Sequence, residues 1–342
     1  MDFKSPSHQV TSNATTDNVD IVREYAPRAL QESIDWSYFF FAWGVSPHHS
    51  QAGILRKEAE TTLLRLQDEG VLARAAGSWR RAWSDDDDIF LPANGQHRAT
   101  RLCFLRQQHA RTDAPCLCLS DFIAPADAVS APISARFLGL FATAVSSPAD
   151  ALRHPPGCPC CNPLPTAVRP QHLWQERSAT LIAKSATTDK RAAVKADERS
   201  AAIIGKPVAT DDNDVYTTLL RQTLLDRLAE AAASLLHAEM LKHLGTEPVN
   251  TEVRPAVGYP SMPDQSLIFD IAPCLPFGSL GITLTSNGMM LPHAATCGLV
   301  FAHPAARYFD VGHVGSDQLE DYARRRGTTA DALQRFMTRR LR

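Results

Sequence analysis

The chain of 342 residues is 44% hydrophobic and 21% charged, with a net charge of −2 and both signs interspersed, the make-up of a globular protein with one large or two smaller domains. No basic footprint suits a nucleic-acid backbone, and the longest apolar run, near Tyr38 to Trp43, is far short of the roughly 20 residues that span a membrane. Eight cysteines without a secretory signal read as free thiols, which places the chain in the cytoplasm.

Residues 1–24 have no apolar h-region and no arginine enrichment, and read as a disordered polar leader. A single domain is expected over 25–342. In LQESIDWSYFFFAWG, Trp36, Phe39, Phe40 and Trp43 recur at helical intervals. Asp35 precedes that run, where its carboxylate can cap the helix by accepting backbone N–H bonds.

Glu58 to Gly70 reads as a surface helix stopped by glycine. The acidic run Asp85 to Asp88 reads as a solvated loop, because the glycine and later glutamate of a calcium loop are missing. Three short apolar segments, Ala99 to Gln108, Cys116 to Pro125 and Arg136 to Val145, are bounded by proline or polar residues, the last two β-leaning and expected in one sheet.

Composition shifts at Ser146, and from there to Asp212 the chain is rich in Pro, Ala, Ser, Thr and Lys, an insertion with little apolar periodicity. Within it His154 accompanies Cys158, Cys160 and Cys161. This C-x-C-C spacing lacks a second ligand pair for zinc, so the thiols read as free and no metal site is expected. His293, His303 and His313 fall in separate segments and read as loop or strand residues rather than a metal set.

Asp214 to Leu244 is the clearest helix, its apolar stripe running through Leu220, Leu224, Leu228, Ala231 and Leu235, with Glu230 off the stripe. Next comes RPAVGYPSMPD, Arg254 to Asp264, which prolines and Gly258 make a rigid loop rather than a helix. It carries a guanidinium suited to a carboxylate and, in Tyr259, a ring suited to a flat heterocycle. Ser266 to Ala272, Leu280 to Thr285, the GLVFA segment and Arg307 to Val314 read as strands, in which Tyr308 and Phe309 point to opposite faces, so at most one ring reaches a ligand. Two helices end the chain, one capped by Ser316 or Asp317 and one opened by Thr328 and Asp331.

RPAVGYPSMPD, then LT with a methionine-containing turn and a proline, then GLVFAHPAARYFDVGHVGSDQLEDYARRRG follow one another in an order that resembles the C-terminal reactivation domain of cobalamin-dependent methionine synthase. IDW with its phenylalanine pair, LRQQ, LSDFIAP and DRLAEA are similar to the same family. The resemblance implies an α+β fold with a curved, C-shaped, mainly antiparallel sheet and flanking helices. It implies that S-adenosylmethionine binds against Asp35, Glu230, Arg254, Ala256, Gly258, Tyr259 and the Tyr308–Phe309 strand. Arg254 would pair with the ligand carboxylate, Glu230 would attract its positive charge, and Tyr259 would pack on it.

The function so implied is reductive methylation of cob(II)alamin, with an electron from a flavodoxin-like donor. No catalytic nucleophile–base pair, P-loop or dinucleotide fingerprint is visible. A chain of this length has no room for homocysteine, folate and cobalamin modules, which implies a subunit acting in trans on a cobalamin-carrying methionine synthase or another corrinoid protein. The alternative is an S-adenosylmethionine-binding regulatory protein, or a degenerate interaction protein. The departures from the family are the insertion, the Trp79 to Trp83 region and the ending FMTRRLR.

Overall fold

The computed structural model describes residues 19–94, 97–109, 114–128, 130–148, 215–244 and 253–338. Its centre is an open antiparallel sheet in the order β1 (Val19–Tyr25), β2 (Leu72–Arg81), β6 (Phe137–Ser146), β9 (Ala295–Val300). A hairpin-linked set of β3 (Trp83–Asp85), β4 (Asp88–Leu91) and β5 (Thr100–Cys103) and a pair of β7 (Thr283–Leu284) with β8 (Met290–Leu291) complete the strands. The helices are α1 (Pro27–Leu30), α2 (Trp36–Ala42), α3 (Ser50–Asp68), α4 (Val215–His243), α5 (Ile268–Ile271), α6 (Ser316–Arg325) and α7 (Ala330–Gln334). The expected α+β class with a mainly antiparallel sheet is what the chain adopts. No helix among the described residues is long and apolar enough to cross a membrane.

Strand alternation divides the core in two. Along β6, Leu138, Leu140, Ala142 and Ala144 face one cluster with Phe104, Phe122 and Phe301, whereas Phe141 and Val145 face another with α2, α3 and α4. Helix α4 lies close to the sheet because glycines meet it. A Cβ on Gly77 would fall 2.5 Å from the Met240 sulfur, and one on Gly139 3.0 Å from the Met240 methyl. Polar anchors fix the register: Trp79 Nε1–H donates to the Met240 carbonyl at 2.7 Å and Thr143 Oγ1–H to that of Ala229 at 3.0 Å. In α3, buried Leu55, Ala59, Leu63 and Leu66 form the stripe, and Gly70 (φ 73°) ends it in the left-handed region.

Several segments differ from the sequence expectation. Residues 19–24, expected in the leader, belong to β1, pinned by Ile21 in the core and by pairing with β2. Ser266 to Ala272 is helical rather than extended, because Asp264 caps it by accepting the Ser266 N–H at 2.8 Å. Cys116 to Pro125 folds around a 3-10 turn, Leu119–Phe122, capped by Asp121. Leu280 to Thr285 keeps only a two-residue strand, and Arg307 to His313 is irregular. The last two helices take Gly315 and Thr329 as N-caps.

The acidic run is not simply solvated. Asp86 (φ 49°) turns the β3–β4 hairpin, and Asp88 is buried, bonded to Arg101 and Arg325. The His154, Cys158, Cys160 and Cys161 group, with most of the insertion, lies outside the described residues.

Candidate ligand-binding cleft

A cleft of about 780 Å³ opens between α2, α4, β9 and the proline-rich loop. Of the residues expected to meet a ligand, it is lined by Asp35, Glu230, Arg254, Ala256, Tyr259 and Tyr308. Gly258 and Phe309 are not on its wall. Phe309 turns to the core, its ring 6.4 Å from that of Phe122; the two neighbouring rings do part, although the segment is irregular rather than the strand from which that was expected. Gly258 acts through the backbone, with φ 87° in a tight turn where Gly258 N–H donates to the Met262 carbonyl at 2.9 Å.

The loop is tied to β9 by its main chain. Val257 N–H donates to the Cys297 carbonyl at 2.9 Å, Leu299 N–H to Pro255 at 3.0 Å and Phe301 N–H to Val253 at 3.2 Å. Gly298 permits this approach, since a Cβ there would sit 2.2 Å from the Pro255 oxygen and 2.7 Å from Ala256 Cα. Tyr308 accepts the Arg254 backbone N–H through its phenol oxygen at 2.8 Å.

The Arg254 side chain is 15% exposed and rests against one face of α4. It donates to Ser234 Oγ at 3.1 Å and to His237 Nδ1 at 3.4 Å, and stands 3.7 Å from the Glu230 carboxylate. Residues 230, 234 and 237 are a helical face, spaced by four and three. Because a guanidinium can only donate, His237 Nδ1 is the acceptor and the ring is the Nε2–H tautomer. Burial first and Arg254 second push the His237 pKa down to about 4, so the imidazole is neutral at ordinary pH. Its Nε2 is buried with no partner among the described residues.

Tyr259 donates its hydroxyl to Glu230 at 3.3 Å, and burial followed by the Glu230 charge pushes its pKa up to about 12. Asp35 does cap α2, accepting from Ser37 N–H at 2.9 Å and Tyr38 N–H at 3.2 Å. Both bonds use Oδ1, so capping leaves Oδ2 without a protein partner among the described residues. Capping and ligand contact are therefore compatible roles of one carboxylate.

Sequence reasoning passed over Tyr38, Phe141, Arg227, Ser234, His237 and Thr296, all on the cleft wall. Arg227, Ser234 and His237 were reachable from Glu230 by helical spacing; the approach of the Arg227 guanidinium carbon to 5.9 Å from the Tyr38 ring centre was not, because that contact joins two helices.

A family model described as vitamin B12 dependent methionine synthase, activation domain, matches residues 28–154 and 191–327. The chain belongs to this family. The activation domain is also similar to a crystal structure described as the MetH reactivation domain bound to AdoHcy, with a TM-score of 0.64 and 24% identity over 94% of this chain and 90% of that one. At that identity the likeness concerns the fold. The matched residues of the activation domain include every cleft residue named above and leave out 155–190, inside the insertion, and everything after Gly327.

Proposed function

We propose that the cleft binds S-adenosylmethionine and presents its methyl group to a corrinoid held by a cobalamin-binding partner, in support of reductive methylation of cob(II)alamin in a methionine synthase system. The observation that carries this reading is the Arg254 guanidinium held beside Glu230 in one cleft with the open oxygen of Asp35. A volume of about 780 Å³ falls in the range of sites for ligands of this size. The ligand would supply an electrophilic sulfonium methyl, and one electron from a flavodoxin-like donor would reduce the cobalt that accepts it.

The chain's own part is position and electrostatics. Arg254 has five N–H donors, of which His237, Ser234 and Glu230 engage only some, so a planar carboxylate can still be met by two. Glu230 and Asp35 place negative charge where a ligand's ammonium and sulfonium are favoured. Tyr38, Tyr259 and Tyr308 offer rings to an adenine.

Calorimetric titration with S-adenosylmethionine tests the reading. Arg254→Ala, by removing a charge-assisted pair of about 1.5–3 kcal/mol, is expected to weaken binding roughly 10- to 150-fold, and Glu230→Ala is expected to weaken it as well. Unchanged affinity in Arg254→Ala would remove the central claim. An intact chain that binds no S-adenosylmethionine, alone or with a corrinoid protein, would favour an interaction role instead.

A further inference from the structure

The ligand loop has a back as well as a front, and the back is covered by residues beyond the family match. Three segments meet there. Gln265 N–H donates to the Phe336 carbonyl at 2.9 Å, Thr338 N–H donates to Pro263 at 2.9 Å, and Asp264 pairs with Met337 as an antiparallel bridge. The Thr338 hydroxyl lies 2.9 Å from the Gly258 carbonyl and 3.1 Å from that of Pro263, which share its single proton. Residues 336–338 are thus a short strap along Pro263 to Gln265 that reaches across to the left-handed glycine at the head of the turn.

The strap is itself anchored. Phe336 and Leu333 are buried, and the Phe336 ring stands edge-on to Phe269 at 6.1 Å. Asp264 is buried and accepts the Tyr322 hydroxyl at 2.8 Å, with Arg326 at 3.6 Å, so α6 grips the same end of the loop. On the cleft side, Tyr259 follows Gly258 directly, and its N–H and carbonyl close the turn on Ala256 at 3.1 Å and Met262 at 2.8 Å. The direction of the Gly258 carbonyl therefore sets the peptide plane from which the Tyr259 ring departs toward Glu230.

We propose that Thr338 is a positioning residue of the cleft: its hydroxyl, carried on the C-terminal strap, fixes the Gly258–Tyr259 peptide and so pre-organises Tyr259 for S-adenosylmethionine. It touches no ligand and acts through the loop. A loop ordered before binding need not be ordered by it, which is how a bond outside the cleft changes affinity. The inference rests on the ligand reading above for its effect on affinity, while the mechanical part stands on the loop alone.

The experiment compares Thr338→Val, which keeps the shape and loses the donor, with Thr338→Ser, which keeps the hydroxyl. Amide hydrogen exchange without ligand is expected to quicken about three- to tenfold in Thr338→Val for the Gly258 and Met262 amides, with α4 unchanged and Thr338→Ser close to the parent. Affinity for S-adenosylmethionine is expected to fall by a similar factor in Thr338→Val, with no further fall when Tyr259→Ala is already present. Exchange in Thr338→Val equal to the parent, or quickened equally in α4, would overturn the proposal, as would full additivity with Tyr259→Ala. If the parent binds no S-adenosylmethionine, the ligand reading fails, and the exchange comparison still decides whether Thr338 holds the loop.

Discussion

Two groups of arginines and carboxylates in this chain are made of similar parts and differ in how completely they satisfy one another. Around Asp88, Arg101 Nε donates to one carboxylate oxygen at 2.8 Å and Arg325 takes the other, while Arg325 also bonds Asp321 at 2.9 Å and the Phe104 carbonyl at 2.8 Å. In the cleft, Arg254 stands 3.7 Å from Glu230 and 3.4 Å from a neutral imidazole. The first group is closed around Asp88, which is buried and meets a guanidinium with each of its oxygens. The second is held in place yet keeps donors and carboxylate oxygens to offer, which is what separates a closed clamp from an open cleft when the residue types are the same.

The sharpest way to break the comparison is to remove the carboxylate of the closed group. Asp88→Ala leaves Arg101 without its anion and Arg325, whose side chain is only 12% exposed, with Asp321 as its remaining carboxylate among the described residues, and is expected to cost about 3 kcal/mol or more in chemical denaturation. A loss below about 1 kcal/mol would mean that the group is no tighter than a surface pair.

The open group has a pH signature instead. The His237 pKa, about 4 in the folded chain against 6.5 ordinarily, means that the unfolded chain takes up a proton between those values that the folded chain refuses. Stability should therefore be level above pH 6.5, fall as the pH drops toward 4, and level off below, by about 3 kcal/mol in all from this group. Denaturation midpoints measured across that window should flatten in His237→Gln relative to the parent; parallel curves would place the acid sensitivity elsewhere.

The smallest of the three effects concerns how the loop is seated. Gly298→Ala puts a methyl group against the Pro255 oxygen and Ala256 backbone, and the overpacking is expected to cost about 1–3 kcal/mol. Because the strain falls on the segment that bears Arg254, affinity for S-adenosylmethionine should drop as well, whereas Asp88→Ala at a temperature where it stays folded should leave affinity near the parent's. Equal effects of both substitutions on affinity would dissolve the distinction between clamp and cleft.

What was legible in the sequence follows from period and length. The helix expected over Asp214 to Leu244 is Val215–His243, because its apolar repeat runs for many turns, and the β-leaning Arg136 to Val145 is β6. The short segments were not legible. SLIFDIA alternates as a strand would, and a single carboxylate just before it makes it helical; VDIVREY contributes one core residue, Ile21, too weak a signal beside a polar leader. Asp88 shows the same limit for chemistry: in DDDD the four carboxylates look alike, and only the fold distinguishes the one that meets Arg325 from across more than two hundred residues. The cleft was readable where motif residues carry it, and unreadable where a contact joins distant elements, as that of Arg227 with Tyr38 does.

The main-chain bonds from Val253, Pro255 and Val257 to β9 have one more consequence. A strand at the side of an open sheet presents unpaired donors and acceptors to any other extended chain, and proteins avoid association by covering them. Here the cover is the proline-rich loop that bears Arg254. A variant that releases the loop would bare the Leu299 N–H and Cys297 carbonyl at the same moment that it loses the cleft, so failure to bind should arrive together with concentration-dependent self-association, and ligand that holds the loop down should also keep the protein apart from its own copies.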